Sequence, residues 1–132
     1  MYFWLRTWVG LTGLAGLGAA VGAWWNPASP MDTIYRNIPP SETASALASR
    51  LYATWLLLST VVRCTFALHE FSLPLAVATC ATYVVAWVHF ATEIFVYHTV
   101  PLKPGGQAPL WVASISIGWL SWCLMEYRKK KK

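Results

Sequence analysis

The sequence has little charge and few cysteines for its length. Asp, Glu, Lys and Arg make up 11% of the 132 residues, against about 25% in ordinary soluble domains. The three cysteines lie in different segments and form no CxxC or CxxxC pair, so neither a disulfide framework nor a zinc site is indicated. The three histidines form no HxxxH or HxxHH group, which excludes a histidine-rich di-iron oxygenase. We therefore expect no metal and no cofactor.

The net positive charge is confined to one end of the chain. Ten Lys and Arg residues stand against five Asp and Glu residues, but Arg128 and the four lysines after it supply five of the ten. Residues 1–127 are therefore formally neutral. Because a nucleic-acid-binding domain needs a basic patch or stripe across one face, we expect no nucleic-acid partner.

Long apolar runs are abundant. Apolar residues make up 57% of the chain, and Arg63 is the only charged residue within four runs, at residues 7–31, 51–69, 71–92 and 104–125. A bilayer core about 30 Å thick needs about 20 apolar residues per spanning helix. The first run is too long for a signal-peptide core, so we expect it to span the membrane.

The sequence thus predicts an all-α, polytopic membrane protein built as a four-transmembrane-helix bundle. A single membrane domain covers residues 1–132, with a basic tail at 128–132 and predicted helices at about 4–25, 42–69, 72–98 and 108–127. An even number of spans places both termini on one side, with six Lys and Arg residues there and three on the other. The positive-inside rule then predicts that both termini are cytosolic.

The basic tail suggests a compartment. Lys129 and Lys130 are the fourth and third residues counted from the end of the chain, which is the spacing of a dilysine retrieval signal for the endoplasmic reticulum. Terminal lysines also bind anionic lipid headgroups. We favour the retrieval signal, because such signals are addresses read by a receptor, and expect a multi-pass protein of the endoplasmic-reticulum membrane.

Small residues predict where helices make close contacts. Gly18 and Gly22 form a small-xxx-small pair in the first predicted helix, and Ser114 and Gly118 begin a similar stripe in the fourth. Close backbone approach at small residues drives association of helices in lipid. The pattern leaves the partner open: another helix of this chain, a second copy in a homodimer, or a different protein.

Ionisable residues inside spans are functional candidates because they are costly there. In the third predicted helix, polar and small residues recur every three or four positions and form a stripe that must face protein: Thr79, Thr82, Ala86, His89, Glu93 and Tyr97. Arg50 and Glu93 lie at matching depth, which predicts a contact between them. Arg63 points about 140° away from Arg50, so we expect it to snorkel or to reach Glu70 or Glu126.

His89 and Glu93 lie one helical turn apart. They could act as general acid and base in a small membrane-embedded enzyme that modifies a lipid or sterol. A structural ion pair or a satisfied buried histidine explains the same residues, since such networks also perturb pKa values. We favour the structural interpretation and keep the enzyme as the alternative.

Several blocks resemble the ergosterol biosynthetic protein 28 family of endoplasmic-reticulum membrane proteins. They lie between about Ser49 and Ile117, roughly half of the chain, and run SRLYATW (49–55), LSTVVRC (58–64), HFATEIFVY (89–97) and APLWVAS (108–114). The positions that match the family's motifs, which we expect to hold the bundle or its partners, are Arg50, Trp55, Arg63, His89, Glu93 and Tyr97.

The resemblance implies a non-enzymatic scaffold for sterol C4-demethylation, with no catalytic residue in this chain. The partners that it implies are a sterol C4-methyl oxidase, a 3β-hydroxysteroid dehydrogenase/C4-decarboxylase and a 3-keto sterol reductase, with a link to a sterol C24-methyltransferase. Membrane lipid surrounds the scaffold, and self-association stays open.

Overall fold

The computed structural model of the chain describes residues 2–38, 46–102 and 106–130. Its helices are α1 (Tyr2–Trp25), α2 (Ser29–Thr33), α3 (Ala46–Leu68), α4 (Leu73–Phe95) and α5 (Ala108–Lys129). All except α2 are 22 to 24 residues long and apolar enough to cross a membrane. The predicted all-α fold with four membrane-spanning helices is therefore confirmed.

The ends of the helices follow from local sequence. Pro27 restricts Asn26 to a non-helical backbone, so α1 ends at Trp25. Pro74 and Pro109 lie in the first turns of α4 and α5, where proline lacks only an N–H that a helix leaves unpaired. The short helix α2, five residues long with Pro30 in its first turn, was not predicted from the sequence. The predicted start of the second spanning helix, residues 42–45, lies outside the described residues.

The third predicted helix extended to residue 98, but α4 ends at Phe95. His98 has a φ of 56°, in the left-handed region that ends helices. This turn brings the N–H groups of Thr99 and Val100 back to the carbonyl oxygen of Glu93, at 3.0 and 3.4 Å. Tyr97 therefore lies beyond the helix and is exposed, so its predicted place in the protein-facing stripe is wrong.

The spanning helices form two hairpins, α1 packed along α3 and α4 packed along α5. We call the end of the bundle with residues 26–38 and 96–102 the distal end, and the end with both termini the proximal end. At the proximal end, the Phe71 ring lies 4.4 Å from the Tyr2 ring and 5.2 Å from the Tyr127 ring, measured between centroids. These contacts join the first and last helices to the turn between α3 and α4.

The contact between α1 and α3 depends on glycine. A Cβ atom added to Gly13 would lie 3.2 Å from Cys64 Sγ, and Gly10 and Gly16 are equally crowded, at 3.1 Å from their nearest neighbours. Thr60 in α3 donates a hydrogen bond to the carbonyl oxygen of Gly13 at 3.1 Å. The three glycines thus let the two backbones approach closely, as small residues do in lipid.

The glycines singled out from the sequence lie elsewhere. A Cβ atom on Gly18 or Gly118 would meet nothing within 4 Å, and one on Gly22 would meet only Ser29 Oγ at 3.9 Å. The alternative that Gly18 and Gly118 pack helices within this chain is therefore wrong. Both lie outside the faces that the hairpins bury, because the buried residues of α1 recur at Val9, Gly13 and Ala20.

Tryptophan hydrogen bonds add to the packing of α5. Trp87 in α4 donates to Ser114 Oγ at 3.0 Å, and Trp8 in α1 donates to Ser116 Oγ at 2.9 Å. Ser116 is fully buried. The two bonds connect α5 to both of its neighbours through polar atoms that lipid could not satisfy.

Candidate functional site

Tyr35 organises the distal end. It follows α2, which directs the chain across the bundle, and its hydroxyl shares a 2.5 Å hydrogen bond with His89 Nε2 in α4. Its ring stacks on Phe90 at 6.4 Å and meets Tyr52 edge-on at 6.0 Å. Trp55 completes the group, with its ring 5.4 Å from the imidazole of His89. We call these five residues the distal aromatic cluster.

The Tyr35 phenol is held in its neutral form. Burial, reinforced by the nearby Tyr52 and Glu93, raises the pKa of Tyr35 far above its ordinary value. A neutral phenol both donates and accepts hydrogen bonds, so Tyr35 remains a partner for His89 over the physiological pH range. Tyr35 could not be identified from the sequence, because it lies in a connection without helical periodicity.

Glu93 holds the connection after α4. Its carboxylate accepts a hydrogen bond from the Thr99 hydroxyl, and the carbonyl oxygen of Thr99 accepts one from the Asn37 N–H at 3.0 Å. The two distal connections are thereby tied to each other and to α4. The contact of Thr99 with Glu93 was not predicted, because the third helix was expected to continue to residue 98 without a turn after residue 95.

The predicted contact between Arg50 and Glu93 is wrong. Among the described residues the only ion pair joins Lys129 Nζ and Glu126 Oε1, at 2.9 Å. Arg50 is exposed, whereas its neighbour Ser49 is buried and donates to the carbonyl oxygen of Pro27. One residue turns a helix by about 100°, so burying Ser49 points Arg50 away from α4.

Arg63 neither snorkels nor reaches Glu70 or Glu126. Its side chain is only 8% exposed, and its Nε donates to Thr82 Oγ1 in α4 at 3.2 Å. The guanidinium carbon lies 4.0 Å from the centroid of the Tyr83 ring, a cation–π contact. Glu126 is paired instead with Lys129, and Glu70 is exposed.

A polar link continues from Arg63 to α1. The Tyr83 hydroxyl is hydrogen-bonded to the Thr12 hydroxyl, and Tyr83 is among the largest fully buried side chains. The chain of contacts Arg63–Tyr83–Thr12 therefore connects α3, α4 and α1. Tyr83 was overlooked because it lies beside the polar stripe predicted for this helix, although it and Thr79 belong to the same buried face.

The other predicted site residues lie as follows. Thr79 and Ala86 are buried in α4, and His89 and Glu93 are half-buried beside a distal cavity of about 520 Å³. Trp55 also lines this cavity. Lys129, half of the predicted retrieval signal, ends α5 with its ammonium group exposed. Residues 131 and 132 lie outside the described residues.

The side chains of His89 and Glu93 at the distal end are held by separate hydrogen bonds. His89 Nε2 is bonded to Tyr35 and the Glu93 carboxylate to Thr99, so each group has a separate partner in a connecting segment. In the part of the chain that the structure describes, no three His, Cys, Asp or Glu residues are grouped so as to hold a metal ion.

Comparisons place the chain among known proteins. A family model described as "Erg28 like protein" matches residues 5–118. A human protein named "Ergosterol biosynthetic protein 28 homolog" is 32% identical over 113 residues, which cover 86% of this chain and 79% of that protein.

Two fungal proteins named "Ergosterol biosynthetic protein 28" are also similar. The one from Gibberella zeae is 34% identical over 101 residues, which cover 72% of this chain and 59% of that protein. The one from Saccharomyces cerevisiae is 31% identical over 81 residues, which cover 61% of this chain and 54% of that protein. No solved structure shows a significant match.

Proposed function

The chain belongs to the Erg28-like protein family, and from this we propose that it is a non-enzymatic membrane scaffold in sterol biosynthesis. The scaffold tethers the enzymes of sterol C4-demethylation: a C4-methyl oxidase, a 3β-hydroxysteroid dehydrogenase/C4-decarboxylase and a 3-keto sterol reductase. A sterol C24-methyltransferase is a further proposed partner. The names of the two fungal relatives support the link to ergosterol biosynthesis.

The observation that carries the proposal is the hydrogen bonding of His89 and Glu93. Both side chains bind residues of the distal connections, Tyr35 and Thr99, rather than each other. This favours a structural role for the pair over an acid–base role. A general base needs a free lone pair within reach of the proton that it takes, and His89 Nε2 and one carboxylate oxygen of Glu93 are already engaged in hydrogen bonds within the chain.

The outer faces of the bundle support contacts with other proteins. Gly18 and Gly118 present small positions with no neighbour within 4 Å, and close backbone approach at such positions is how helices associate in lipid. We propose that these faces receive spanning segments of the partner enzymes. Cytosolic termini and retention in the endoplasmic reticulum by Lys129 and Lys130 complete the proposal.

Purification from native membranes tests the scaffold. The affinity-tagged chain should co-purify with the three C4-demethylation enzymes, and the pure chain should not turn over a 4-methylsterol. Gly18→Leu and Gly118→Leu should lower the yield of the enzymes without lowering the stability of the chain, because a Cβ atom at either position meets no atom of the chain within 4 Å. Turnover by the pure chain, or absence of all three enzymes, would contradict the proposal.

The alternative is a small lipid- or sterol-modifying enzyme that uses His89 and Glu93. The distal cavity of about 520 Å³ that both residues line favours it, since ligand pockets have volumes of about 300–1,000 Å³. This alternative predicts that His89→Ala abolishes turnover while the partners still co-purify. His69→Ala, at an exposed histidine just after α3 at the proximal end, is the matched control.

A further inference from the structure

A second cavity lies inside the bundle. It has a volume of about 310 Å³ and is bordered by all four spanning helices, with mostly apolar side chains in its walls. The lining residues with polar side-chain atoms include Thr12, Ser59, Arg63 and Tyr83. Among the described residues that line it, Arg63 is the only charged one. The cavity thus combines an apolar interior with a single positive charge.

The hydrogen-bonding capacity of Arg63 is largely unused. A guanidinium has five N–H donors, and Nε is the one that is satisfied, by Thr82 Oγ1. Tyr83 covers one face of the group without accepting an in-plane hydrogen bond. Within the described part of the chain, the two terminal Nη groups have no hydrogen-bond partner, although the side chain is more than nine-tenths buried.

No carboxylate of the described residues compensates this charge. Glu93 is bonded to Thr99, Glu126 is paired with Lys129, and Asp32 and Glu70 are exposed. Buried charges in proteins are usually paired, and a guanidinium with two free amino groups matches a carboxylate through two parallel hydrogen bonds.

The depth of Arg63 indicates what carries the anion. Arg63 lies five residues before the end of α3 at Leu68, about 8 Å along the helix at about 1.5 Å per residue. An anion at this depth is most easily delivered by an apolar body that itself enters the bundle. A free inorganic anion would leave the apolar walls of the cavity without contacts.

We propose that the bundle cavity binds an amphipathic carboxylate, with its apolar body between the four helices and its carboxylate on the two Nη groups of Arg63. The chemistry common to the ligands is one carboxylate on a ring system or acyl chain of membrane-lipid size. The proposal goes beyond the scaffold and is independent of it, because a chain that tethers no enzyme can still bind such a ligand.

Binding to the detergent-purified full chain tests the proposal. The probes are cholesteryl hemisuccinate and palmitate, each compared with its own methyl ester, which has the same body without the charge. We expect at least one acid to bind at least about tenfold more tightly than its ester, and the acid that does so distinguishes a ring body from an acyl chain. Equal affinity of acid and ester for both bodies, or an equal effect of acetate alone, would overturn the proposal.

Variants assign the binding to Arg63. Arg63→Gln should remove the preference for the acid over the ester, and Arg63→Lys should keep part of it because the charge remains. Arg50→Gln, at an exposed arginine of the same helix, should leave the preference unchanged. A preference retained in Arg63→Gln, or lost equally in Arg50→Gln, would refute the assignment.

A further variant tests the site even if Arg63→Gln fails to fold. Ala15 is exposed and lines the edge of the cavity on α1, so a large ring there covers the opening without entering the buried core. Ala15→Trp should weaken binding of the acid at least about tenfold while Arg63 stays in place. Undiminished binding in Ala15→Trp would place the ligand elsewhere and overturn the proposal.

Discussion

Replacing Gly13 by valine tests the packing of α1 on α3. A Cβ atom at this position would lie 3.2 Å from Cys64 Sγ and 3.3 Å from the Cβ atom of Arg63, closer than ordinary van der Waals contact. Valine adds two further methyl groups on a stiff side chain. The helices must therefore separate, because the Cβ atom of Arg63 is fixed by the α3 backbone and cannot move aside.

The expected loss of stability has two parts. Overpacking of a well-packed interior costs about 1–3 kcal/mol. Separation also lengthens the 3.1 Å hydrogen bond from Thr60 to the carbonyl oxygen of Gly13, and such interhelical bonds contribute about 0.6 kcal/mol in membranes. Valine gains only about 0.5 kcal/mol over glycine in helix propensity. We therefore expect the free energy of unfolding to fall by about 2 kcal/mol.

The assay is reversible unfolding in mixed micelles with increasing SDS, followed by circular dichroism. Gly18→Val is the matched control on the same helix, because its side chain would point where no atom of the chain lies within 4 Å. It should be as stable as the wild type. The reasoning about the glycine contact would be refuted if Gly13→Val unfolded at the same SDS fraction as the wild type. It would also be refuted if Gly18→Val unfolded at as low an SDS fraction as Gly13→Val.

Three further predictions concern the polar contacts. Tyr35→Phe leaves His89 without its 2.5 Å hydrogen bond and should reduce stability by about 1 kcal/mol, with faster amide hydrogen exchange at residues 34–38. Burial raises the pKa of Tyr35, so above pH 10 the phenol ionises in the unfolded chain but stays neutral in the folded one. Above pH 10 the free energy of unfolding should therefore fall more steeply with pH in the wild type than in Tyr35→Phe. An equal dependence on pH in the two proteins would contradict this. Trp8→Phe removes the 2.9 Å bond to Ser116 and should cost about 0.6 kcal/mol, whereas Trp4→Phe, at an exposed position, should cost nothing measurable by the same SDS unfolding.

The number and type of helices could be predicted because apolar length determines them. A run of about 20 apolar residues has few alternatives to a spanning helix, and proline marked several of the ends. The end of α4 could not be predicted, since it depends on His98 adopting a left-handed backbone. That conformation is uncommon for histidine and here accompanies the hydrogen bonds from Thr99 and Val100 to Glu93.

The side-chain contacts depended on rotation about the helix axes, which a single sequence determines poorly. Counting residues placed Arg50 and Glu93 at one depth, but the glycine contact with α1 rotates α3 so that Ser49 is buried and Arg50 exposed. Gly18 and Gly13 are equally small, and only the position of α3 distinguishes them. The prediction of the buried face of α4 was closer to the structure. Several polar residues at helical spacing together indicate which side of a helix faces the protein.

The division of the bundle into two hairpins has a consequence for its biosynthesis. The first hairpin, α1 with α3, precedes α4 and α5 along the chain and therefore leaves the ribosome first. Until α4 joins it, Arg63 lacks Thr82 and Tyr83 as partners, and an unpaired arginine in a membrane helix carries a cost that reaches about 2.5–3.5 kcal/mol at the helix centre. Arrival of α4 relieves this cost. Arg63, which lines the cavity of the mature protein, therefore also favours the packing of the second hairpin against the first.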